Sequence, residues 1–261
     1  MEFCINSATV KSRWHEKNED CFICNDKYIV VADGMGGEAC GEVASNIAIS
    51  TISSCLDGHI EEARSEDDIR KLMFSAISRA DGEILRYVAS HPDAEGMGTT
   101  VVIMVRREDN MYVAWCGDSR CYYYDPSKRL CSLTVDHSYV QQLIDQGEIT
   151  EGESFTHPDN NLITKYVGGG EDTCTPEFVS SRIEDDGSII LCSDGLSGYC
   201  RTEEIERELQ SDIHGELPER LLQLALSKGS DDDITIVTLT PKAESSRAKG
   251  PIRNWFRKLT H

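Results

Sequence analysis

The sequence predicts an α+β fold, in which two packed antiparallel β-sheets are flanked by α-helices as an α-β-β-α sandwich. Three observations predict it: short apolar runs joined by tight turns, two long amphipathic helical stretches, and strands that are apolar on both faces. Connections this short join antiparallel neighbours, because parallel strands need a crossover of a dozen or more residues. Strands that are apolar on both faces are covered on both sides, which places the helices outside the sheets.

The strands are predicted from β-branched and aromatic runs bounded by turn residues. A hairpin is expected at 21–24 and 28–32, with Asn25-Asp26-Lys27 as its turn. A meander is expected at 99–106, 111–116, 119–124 and 129–134, with turns at Asp109-Asn110, Gly117-Asp118 and Asp125-Pro126. Further strands are expected at 176–182, 188–193 and 234–240.

Helices are predicted where apolar residues return at the spacing of 3.6 residues per turn. Two long helices cover 43–56 and 69–88, and shorter ones are expected at 138–146, 202–210 and 216–228.

Charge divides the 261 residues into an acidic body and a basic end. The last twenty residues hold six Lys or Arg and one acid, so the remainder carries a net charge of −25. We therefore expect a single domain over 1–241 and a basic, flexible tail over 242–261. An acidic body repels nucleic acid, which excludes that class of partner.

The compartment is predicted from what the sequence lacks. It has no apolar run long enough to span a bilayer and no signal-peptide pattern at its start, so we expect a cytoplasmic protein, and a monomer. Eleven scattered cysteines include one CxxC, Cys21 to Cys24, without a second pair at zinc-site spacing. We expect them to be reduced and mostly buried.

Four aspartates occupy similar positions. Asp33, Asp118, Asp194 and Asp232 each stand where an apolar strand meets a turn, so their carboxylates can converge at one sheet edge. Carboxylate oxygens suit Mg²⁺ or Mn²⁺, and Gly34 lets its own carbonyl approach such an ion. Each Asp-Gly alone is also a common turn dipeptide, but all four at strand ends favour a metal site.

Seven motifs follow one another across nearly the whole chain. They are Asn18-Glu19-Asp20, Val31-Ala32-Asp33-Gly34-Met35-Gly36-Gly37 with Gly41-Glu42, Gly98-Thr99-Thr100, Gly117-Asp118-Ser119-Arg120, Leu133-Thr134-Val135-Asp136-His137-Ser138, Cys192-Ser193-Asp194-Gly195-Leu196 and Asp232-Asp233-Ile234-Thr235. In this order and spacing they resemble the motifs of the type 2C metal-dependent protein phosphatases (the PPM family), especially bacterial members. The resemblance implies a β-sandwich flanked by helices and hydrolysis of phosphoserine and phosphothreonine in proteins. It also implies two divalent cations, Mn²⁺ or Mg²⁺, and a weaker third.

The resemblance also implies roles for the acids. Asp33 bridges two ions, the Gly34 carbonyl binds one of them, and Asp194 and Asp232 complete the other. A water that bridges the ions attacks phosphorus in line with the leaving oxygen, without a phosphoenzyme.

Three further acids have implied roles, and a flap is implied beside the site. Glu19 and Asp20 contact metal-bound waters, and Asp118 with Asp194 forms the third, weaker site. The family's flap corresponds to 138–160, although an ordinary surface helix and loop fits that composition too.

Three positions depart from the family pattern. His15 stands where a phosphate-binding arginine is usual. Arg13 is an alternative phosphate ligand, and His15 can also be interpreted as a solvated surface residue. Met35 replaces a histidine proposed as general acid in many eukaryotic members, which leaves the proton donor unassigned and water as the default. Asp233 replaces an asparagine, and metal ligation is assigned to its neighbour Asp232.

Partners follow from the resemblance and from the tail. Phosphoproteins are the expected substrates, with a serine/threonine kinase as the opposing enzyme. Ile252, Trp255, Phe256 and Leu259 form an apolar stripe beside basic residues, which fits an anionic membrane, a partner or the acidic body. A frayed tail fits equally well.

Two other function classes fit parts of the sequence. One is a pseudophosphatase, a binding or regulatory module on the same fold, which the change at His15 keeps open. The other is a dinucleotide-binding enzyme, because Gly34-x-Gly36-x-x-Ala39 after a strand imitates that fingerprint. Asp33 would then face the pyrophosphate, and no parallel strand ends in an acid about 20 residues on.

Overall fold

The structure is a computed structural model that describes residues 3–36, 40–211 and 215–242. Its strands are β1 Phe3–Val10, β2 Asp20–Cys24, β3 Tyr28–Met35, β4 Gly98–Thr99, β5 Val101–Arg107, β6 Asn110–Cys116, β7 Arg120–Asp125, β8 Arg129–Ser132, β9 Glu177–Arg182, β10 Ser188–Cys192 and β11 Ile234–Pro241. Its α-helices are α1 Gly41–His59, α2 Glu66–Ser90, α3 Tyr139–Asp145, α4 Glu151–Ser154, α5 Asp194–Ser197, α6 Thr202–Gln210 and α7 Leu217–Ser227.

The strands form two antiparallel sheets. The first sheet has the order β1-β11-β10-β7-β8, and the second has the order β2-β3-β5-β6-β9 with β4 paired to β3. Apolar side chains of both sheets meet in a shared core that includes Val31, Val113, Leu191 and Val237. The predicted α+β class, two packed antiparallel sheets flanked by helices, is confirmed.

Strand β3 shows why the central strands are apolar on both faces. Tyr28, Val30 and Ala32 pack against the helix pair α1 and α2, whereas Ile29 and Val31 face the other sheet. Successive side chains of a strand point to opposite faces, so a strand between two apolar layers needs apolar residues at every position.

The outer face of the first sheet is covered by α6 and α7. Ile190 and Ile236 on the sheet share a third apolar cluster with Ile205, Leu221 and Ala225 on these helices. The layers are therefore helix, sheet, sheet and helix.

The two long predicted helices are present and run a few residues further at each end. Helix α2 begins at a capping box, in which Ser65 Oγ accepts from the Asp68 amide and the Asp68 carboxylate accepts from the Ser65 amide. Such a cap satisfies two amides that the first helical turn leaves unpaired.

Three predictions about the strands were wrong. The strand β1 was not predicted, although it pairs with β11 over eight residues at the far end of the chain. The four-strand meander is divided, because β5 and β6 belong to one sheet and β7 and β8 to the other. The link Gly117-Asp118-Ser119 crosses between the sheets, and its glycine has the positive φ of 119° that this bend requires. Asp33 does not end β3, which continues through Gly34 to Met35 and pairs with β4.

The described residues contain no helix that is long and apolar enough to cross a membrane. The predicted basic tail over 242–261 falls, from residue 243 onward, outside the described part of the chain.

Candidate metal centre

The second sheet brings two acids side by side. Asp20 on β2 is the direct partner of Asp33 on β3 in the antiparallel register. Gly34 then passes so close to the start of α1 that a Cβ there would lie 2.0 Å from the Gly41 carbonyl oxygen. Only a glycine fits this approach, and it leaves the peptide of Gly34 beside the acids.

The first sheet and the crossing link supply the other acids. Asp194 is the first residue of α5, directly after β10, and Asp232 lies two residues before β11. Asp118 lies in the link between β6 and β7, where the chain passes from one sheet to the other. Acids that are distant in sequence therefore meet where the two sheets come together.

A cavity of about 240 Å³, hereafter the acidic pocket, collects most of the predicted site. Its wall includes seven predicted positions: His15, Glu19, Asp33, Gly34, Asp118, Asp194 and Asp232. Asp20 is buried beside Asp33, and its charge acts on that carboxyl group. Arg13 is not on the pocket wall; it lies on the exposed loop with its guanidinium 4.7 Å from the centre of the Trp14 ring.

Burial and mutual repulsion raise the pKa values of these carboxyl groups. Burial raises the pKa of Asp20 and of Asp194 to about 7. Burial, followed by the neighbouring carboxylates, also holds the pKa of Asp33 and of Asp118 well above the usual range. The pKa of Asp232 is raised for the same first reason. Each group is therefore short of positive charge in its surroundings.

The polar atoms of the pocket fit divalent cations. Asp20 Oδ1 and Asp194 Oδ1 are buried without a hydrogen-bond partner among the described residues. The carboxyl groups of Asp33 and Asp194 are neighbours on the pocket wall, and each affects the pKa of the other. Two ionised carboxylates have no donor to share, and at about 4 Å they repel by roughly 4 kcal/mol at an effective dielectric near 20. A cation, or a proton, is needed between them.

The donor set selects the kind of cation. It consists of carboxylates and a backbone carbonyl, which are the hard ligands of Mg²⁺ and Mn²⁺. Over residues 3–36, 40–211 and 215–242, no three His, Cys, Asp or Glu side chains stand in a finished ligand geometry. Because the carboxylates repel one another, we expect small side-chain shifts when a cation binds.

Asp233 has a part that the sequence did not reveal. Its side chain is only 2% exposed, and it faces the loop between β1 and β2. One carboxylate oxygen accepts from the Ser12 amide at 2.6 Å, and the other accepts from the Glu19 amide at 2.6 Å and lies 3.1 Å from His15 Nδ1. In a run of three aspartates, no pattern distinguishes the one that turns away from the pocket.

Ser193 is a second residue whose part was missed, although it belongs to a quoted motif. Its hydroxyl donates to Asp20 Oδ2 at 2.7 Å and accepts from the Thr235 amide at 2.9 Å. It therefore joins the acid of one sheet to a backbone group of the other. The motif marked the position but gave no partner for it.

A second cavity, hereafter the flap groove, opens beside the acidic pocket. It has a volume of about 190 Å³ and shares Asp118, Asp194 and Asp232 with the acidic pocket. Its outer wall includes Ser154, Phe155 and other residues of the predicted flap segment. The segment therefore lies where it can contact a substrate that reaches the acids.

The sandwich and its carboxylate pocket are those expected of the type 2C phosphatases, which the motifs resemble. A family profile described as protein phosphatase 2C matches residues 16–223. The chain therefore belongs to the protein phosphatase 2C family, as the motifs predicted. The dinucleotide-binding alternative is excluded, because β3 has antiparallel neighbours on both sides.

Two curated relatives illustrate the similarity. The chain is 34% identical over 220 residues to the serine/threonine protein phosphatase PstP of Mycobacterium tuberculosis, which covers 84% of this chain. The match spans only 41% of PstP's own length. The serine/threonine phosphatase stp of Listeria monocytogenes is 32% identical over 214 residues, which are 82% of this chain and 84% of that protein.

Solved structures are similar over almost the whole chain. The serine/threonine phosphatase Stp1 from Staphylococcus aureus superposes with a TM-score of 0.84 at 30% identity, over 93% of this chain and 96% of that one. The catalytic domain of PstP in complex with two manganese ions superposes with a TM-score of 0.77 at 29% identity, over 91% and 97%.

Proposed function

We propose that this chain removes phosphate from phosphoserine and phosphothreonine in proteins, with two divalent cations as cofactors. The observation that carries the proposal is the meeting of Asp33, Asp118, Asp194 and Asp232 around one pocket, with raised pKa values and with an unpartnered buried oxygen on Asp194. The names of the relatives, which are serine/threonine phosphatases, support the substrate class.

The roles in this proposal follow the family resemblance. Asp33, the Gly34 carbonyl, Asp194 and Asp232 would hold the two cations, and Glu19 and Asp20 would orient water molecules beside them. Bound divalent cations would supply activation of a water and screening of the phosphate charge, which suits direct hydrolysis without a covalent enzyme intermediate.

Two further roles belong to the proposal. Asp118, with Asp194, would hold a weaker third cation, since it lines both the acidic pocket and the flap groove. His15 would receive the phosphate, because it is the basic side chain among the residues named on the pocket wall. Arg13 is the weaker candidate because its guanidinium already lies over Trp14. No side chain is assigned as proton donor to the leaving oxygen.

The proposed substrates and the cellular setting are those predicted from the sequence. Phosphoproteins modified by a serine/threonine kinase are the expected substrates. The monomeric state, the cytoplasmic location, the single domain over 1–241 and the membrane or partner contact of the basic tail stay predictions.

The test is hydrolysis of a phosphothreonine peptide with Mn²⁺, with and without chelator, by the wild type, Asp194→Ala and Asp186→Ala. Asp186 is an exposed acid two residues before β10, the strand that leads to Asp194, so its substitution controls for the loss of a negative charge. We expect Asp194→Ala and the chelator each to lower turnover by more than about 100-fold, since even groups behind metal ligands are worth about 10–100-fold. Asp186→Ala should match the wild type.

Two results would contradict the proposal. Turnover that survives both the chelator and Asp194→Ala would refute the metal mechanism. Binding of the phosphopeptide without any hydrolysis, in Mg²⁺ or Mn²⁺, would favour the pseudophosphatase instead.

A further inference from the structure

His15, in the loop between β1 and β2, contacts Asp233, which directly precedes β11, and both residues depart from the family pattern. His15 replaces the expected arginine and Asp233 replaces the expected asparagine, and the two side chains touch at 3.1 Å. The two positions are 218 residues apart in sequence, and the fold brings them into contact. The contact joins a basic side chain on the wall of the acidic pocket to a buried carboxylate, which can orient the ring.

We propose that Asp233 is a positioning residue, which holds His15 by Nδ1 and leaves Nε2 to bind the phosphate of the substrate. The inference rests on the proposed phosphatase function, because it needs a phosphate at the acidic pocket. It goes further by giving His15 a defined tautomer and Asp233 a role outside the metal ligands.

The surroundings of Asp233 support this assignment. Its two oxygens accept from the amides of Ser12 and Glu19, at the two ends of the loop, as well as from the His15 ring. A carboxylate has enough acceptor sites for all three donors, whereas an asparagine has one oxygen and an NH₂ group that cannot accept. An arginine at position 15 needs no such acceptor, and a histidine does.

The ring of His15 has two distinct edges. Its Nδ1 edge is directed to Asp233, while the ring lines the acidic pocket together with Asp33 and Asp232. Within the described part of the chain, Nε2 has no hydrogen-bond partner. The tautomer of a histidine is set by the hydrogen bond of its other nitrogen, so neutral His15 keeps its proton on Nδ1.

The charges that face His15 favour its protonated form. Partial burial lowers the pKa of His15, but the hydrogen bond and charge of Asp233 raise it, with smaller contributions from Glu19 and Asp232, and the net pKa is raised. Lys11 donates to the backbone carbonyls of Ser12 and His15 and not to the His15 ring. Asp232 and Glu19 would share their charge with bound cations, whereas Asp233 keeps its own for the ring. A protonated ring can donate from Nε2 to a phosphate oxygen.

A double-mutant cycle tests whether Asp233 acts through His15. The inhibition constant of inorganic phosphate is measured on the Mg²⁺-loaded protein for the wild type, Asp233→Asn, His15→Ala and the double variant. We expect Asp233→Asn to weaken phosphate inhibition by about tenfold in the wild type and by less than about twofold in the His15→Ala background. An equal weakening in both backgrounds would overturn the proposal, because it would mean that Asp233 only supports the loop.

The matched control is Asp231→Asn, two residues away. It removes the same charge from an exposed carboxylate that accepts from the Tyr199 hydroxyl. We expect it to leave phosphate inhibition unchanged. A loss equal to that of Asp233→Asn would show that general charge, and not contact with His15, sets phosphate affinity.

A readout independent of activity comes from NMR of the imidazole nitrogens. In the Mg²⁺-loaded wild type we expect neutral His15 to carry its proton on Nδ1, and in Asp233→Asn we expect the pKa of His15 to fall, because the ring loses the hydrogen bond and the charge of the carboxylate. If Asp233→Asn does not fold, the wild-type tautomer decides, and a proton on Nε2 refutes the proposal. If the protein folds and titrates as expected but hydrolyses no phosphopeptide, the proposed function fails while the positioning stands.

Discussion

Single backbone positions decide how closely the elements approach one another around the acidic pocket. Gly34 has the Gly41 peptide against it, and Gly117 has Thr100 in the same relation, since a Cβ there would lie 2.5 Å from that side chain. Both glycines were visible in the sequence as turn residues. Their contacts were not, because each depends on an element far away in the chain.

Replacing Gly34 by alanine should destabilise the fold and abolish hydrolysis. The added methyl group meets backbone at 2.0 Å, which no side-chain rotation relieves, so we expect a loss of about 3 kcal/mol in the free energy of unfolding. Urea unfolding followed by circular dichroism measures it.

The control is Gly58→Ala near the end of α1, where a Cβ meets nothing within 4 Å. It should leave stability unchanged or raise it by about 0.5–1 kcal/mol, as for glycine in a helix. Equal stability of the two variants would show that β3 and α1 are not packed as described.

At the same scale, the sequence identified which acids belong to the site but not how each one points. Asp33, Asp118 and Asp194 each lie within a recognisable motif, so their meeting was predictable. Asp232 and Asp233 are chemically identical neighbours. Only the position of the loop between β1 and β2, which depends on both sheets, separates the one that lines the pocket from the one that holds Ser12 and His15.

At the scale of elements, α2 fixes the loop that follows the flap segment. Asp81 is 7% exposed on this helix, and its Oδ1 accepts from the Gly168 and Gly170 amides at 2.7 and 3.2 Å. The same loop pairs through Val167 with Thr99 on β4, next to the end of β3. A helix that was predicted only from its apolar spacing therefore supports the pocket through a buried acid.

Asp81→Ala should cost about 1–3 kcal/mol in unfolding free energy, because it leaves two amides without their acceptor. Urea unfolding is the measurement. Glu83→Ala, two residues on, removes an acid whose partner is Arg86 on the helix surface, and should cost less than about 1 kcal/mol. If the two substitutions lower the free energy of unfolding equally, water satisfies the Gly168 and Gly170 amides, and their contact with Asp81 does not stabilise the fold.

The errors in the predicted strands also have causes at this scale. The strand β1 mixes Cys, Asn, Ser and Thr with few β-branched apolar residues, and it becomes a strand because β11 supplies its hydrogen bonds. The division of the meander depends on which sheet buries each strand. A two-residue turn looks the same in sequence whether it joins neighbours or crosses between layers.

At the scale of the whole molecule, the sandwich was predictable because the same apolar signal repeats in the central strands, such as β3, β5 and β10. Residues that face a helix layer alternate with residues that face the other sheet, and both are apolar. The net negative charge of residues 1–241 was also visible in the sequence. Under the proposed function, such an acidic body needs bound cations before it can accept a phosphate. Strand order could not be read, since it depends on contacts between distant segments.

The buried carboxyl groups predict how stability changes with pH. Asp20 and Asp194 have pKa values of about 7 in the folded protein, raised from 3.8. The folded state therefore binds more protons than the unfolded state between those values, and stability is lost as the pH rises through this window. Without metal, we expect the melting temperature to fall from pH 5 to pH 7.5.

Saturating Mg²⁺ is the control for this experiment. A ligand that binds only the folded state adds stability by mass action, and a cation competes with the protons on the same oxygens. The decline with pH should then vanish or reverse in a thermal scan. A metal-free protein with no decline over this range would mean that the acids are not buried together.

The acids that line the acidic pocket belong to both sheets of the sandwich. Asp33 lies on the second sheet, whereas Asp194 and Asp232 lie next to strands of the first sheet. A cation bound by acids of both sheets would join the two sheets and oppose any sliding of one sheet over the other. Cation supply would then govern stiffness as well as turnover. In a cell that lacks the metal, the protein would then be more flexible and more readily cleaved by proteases.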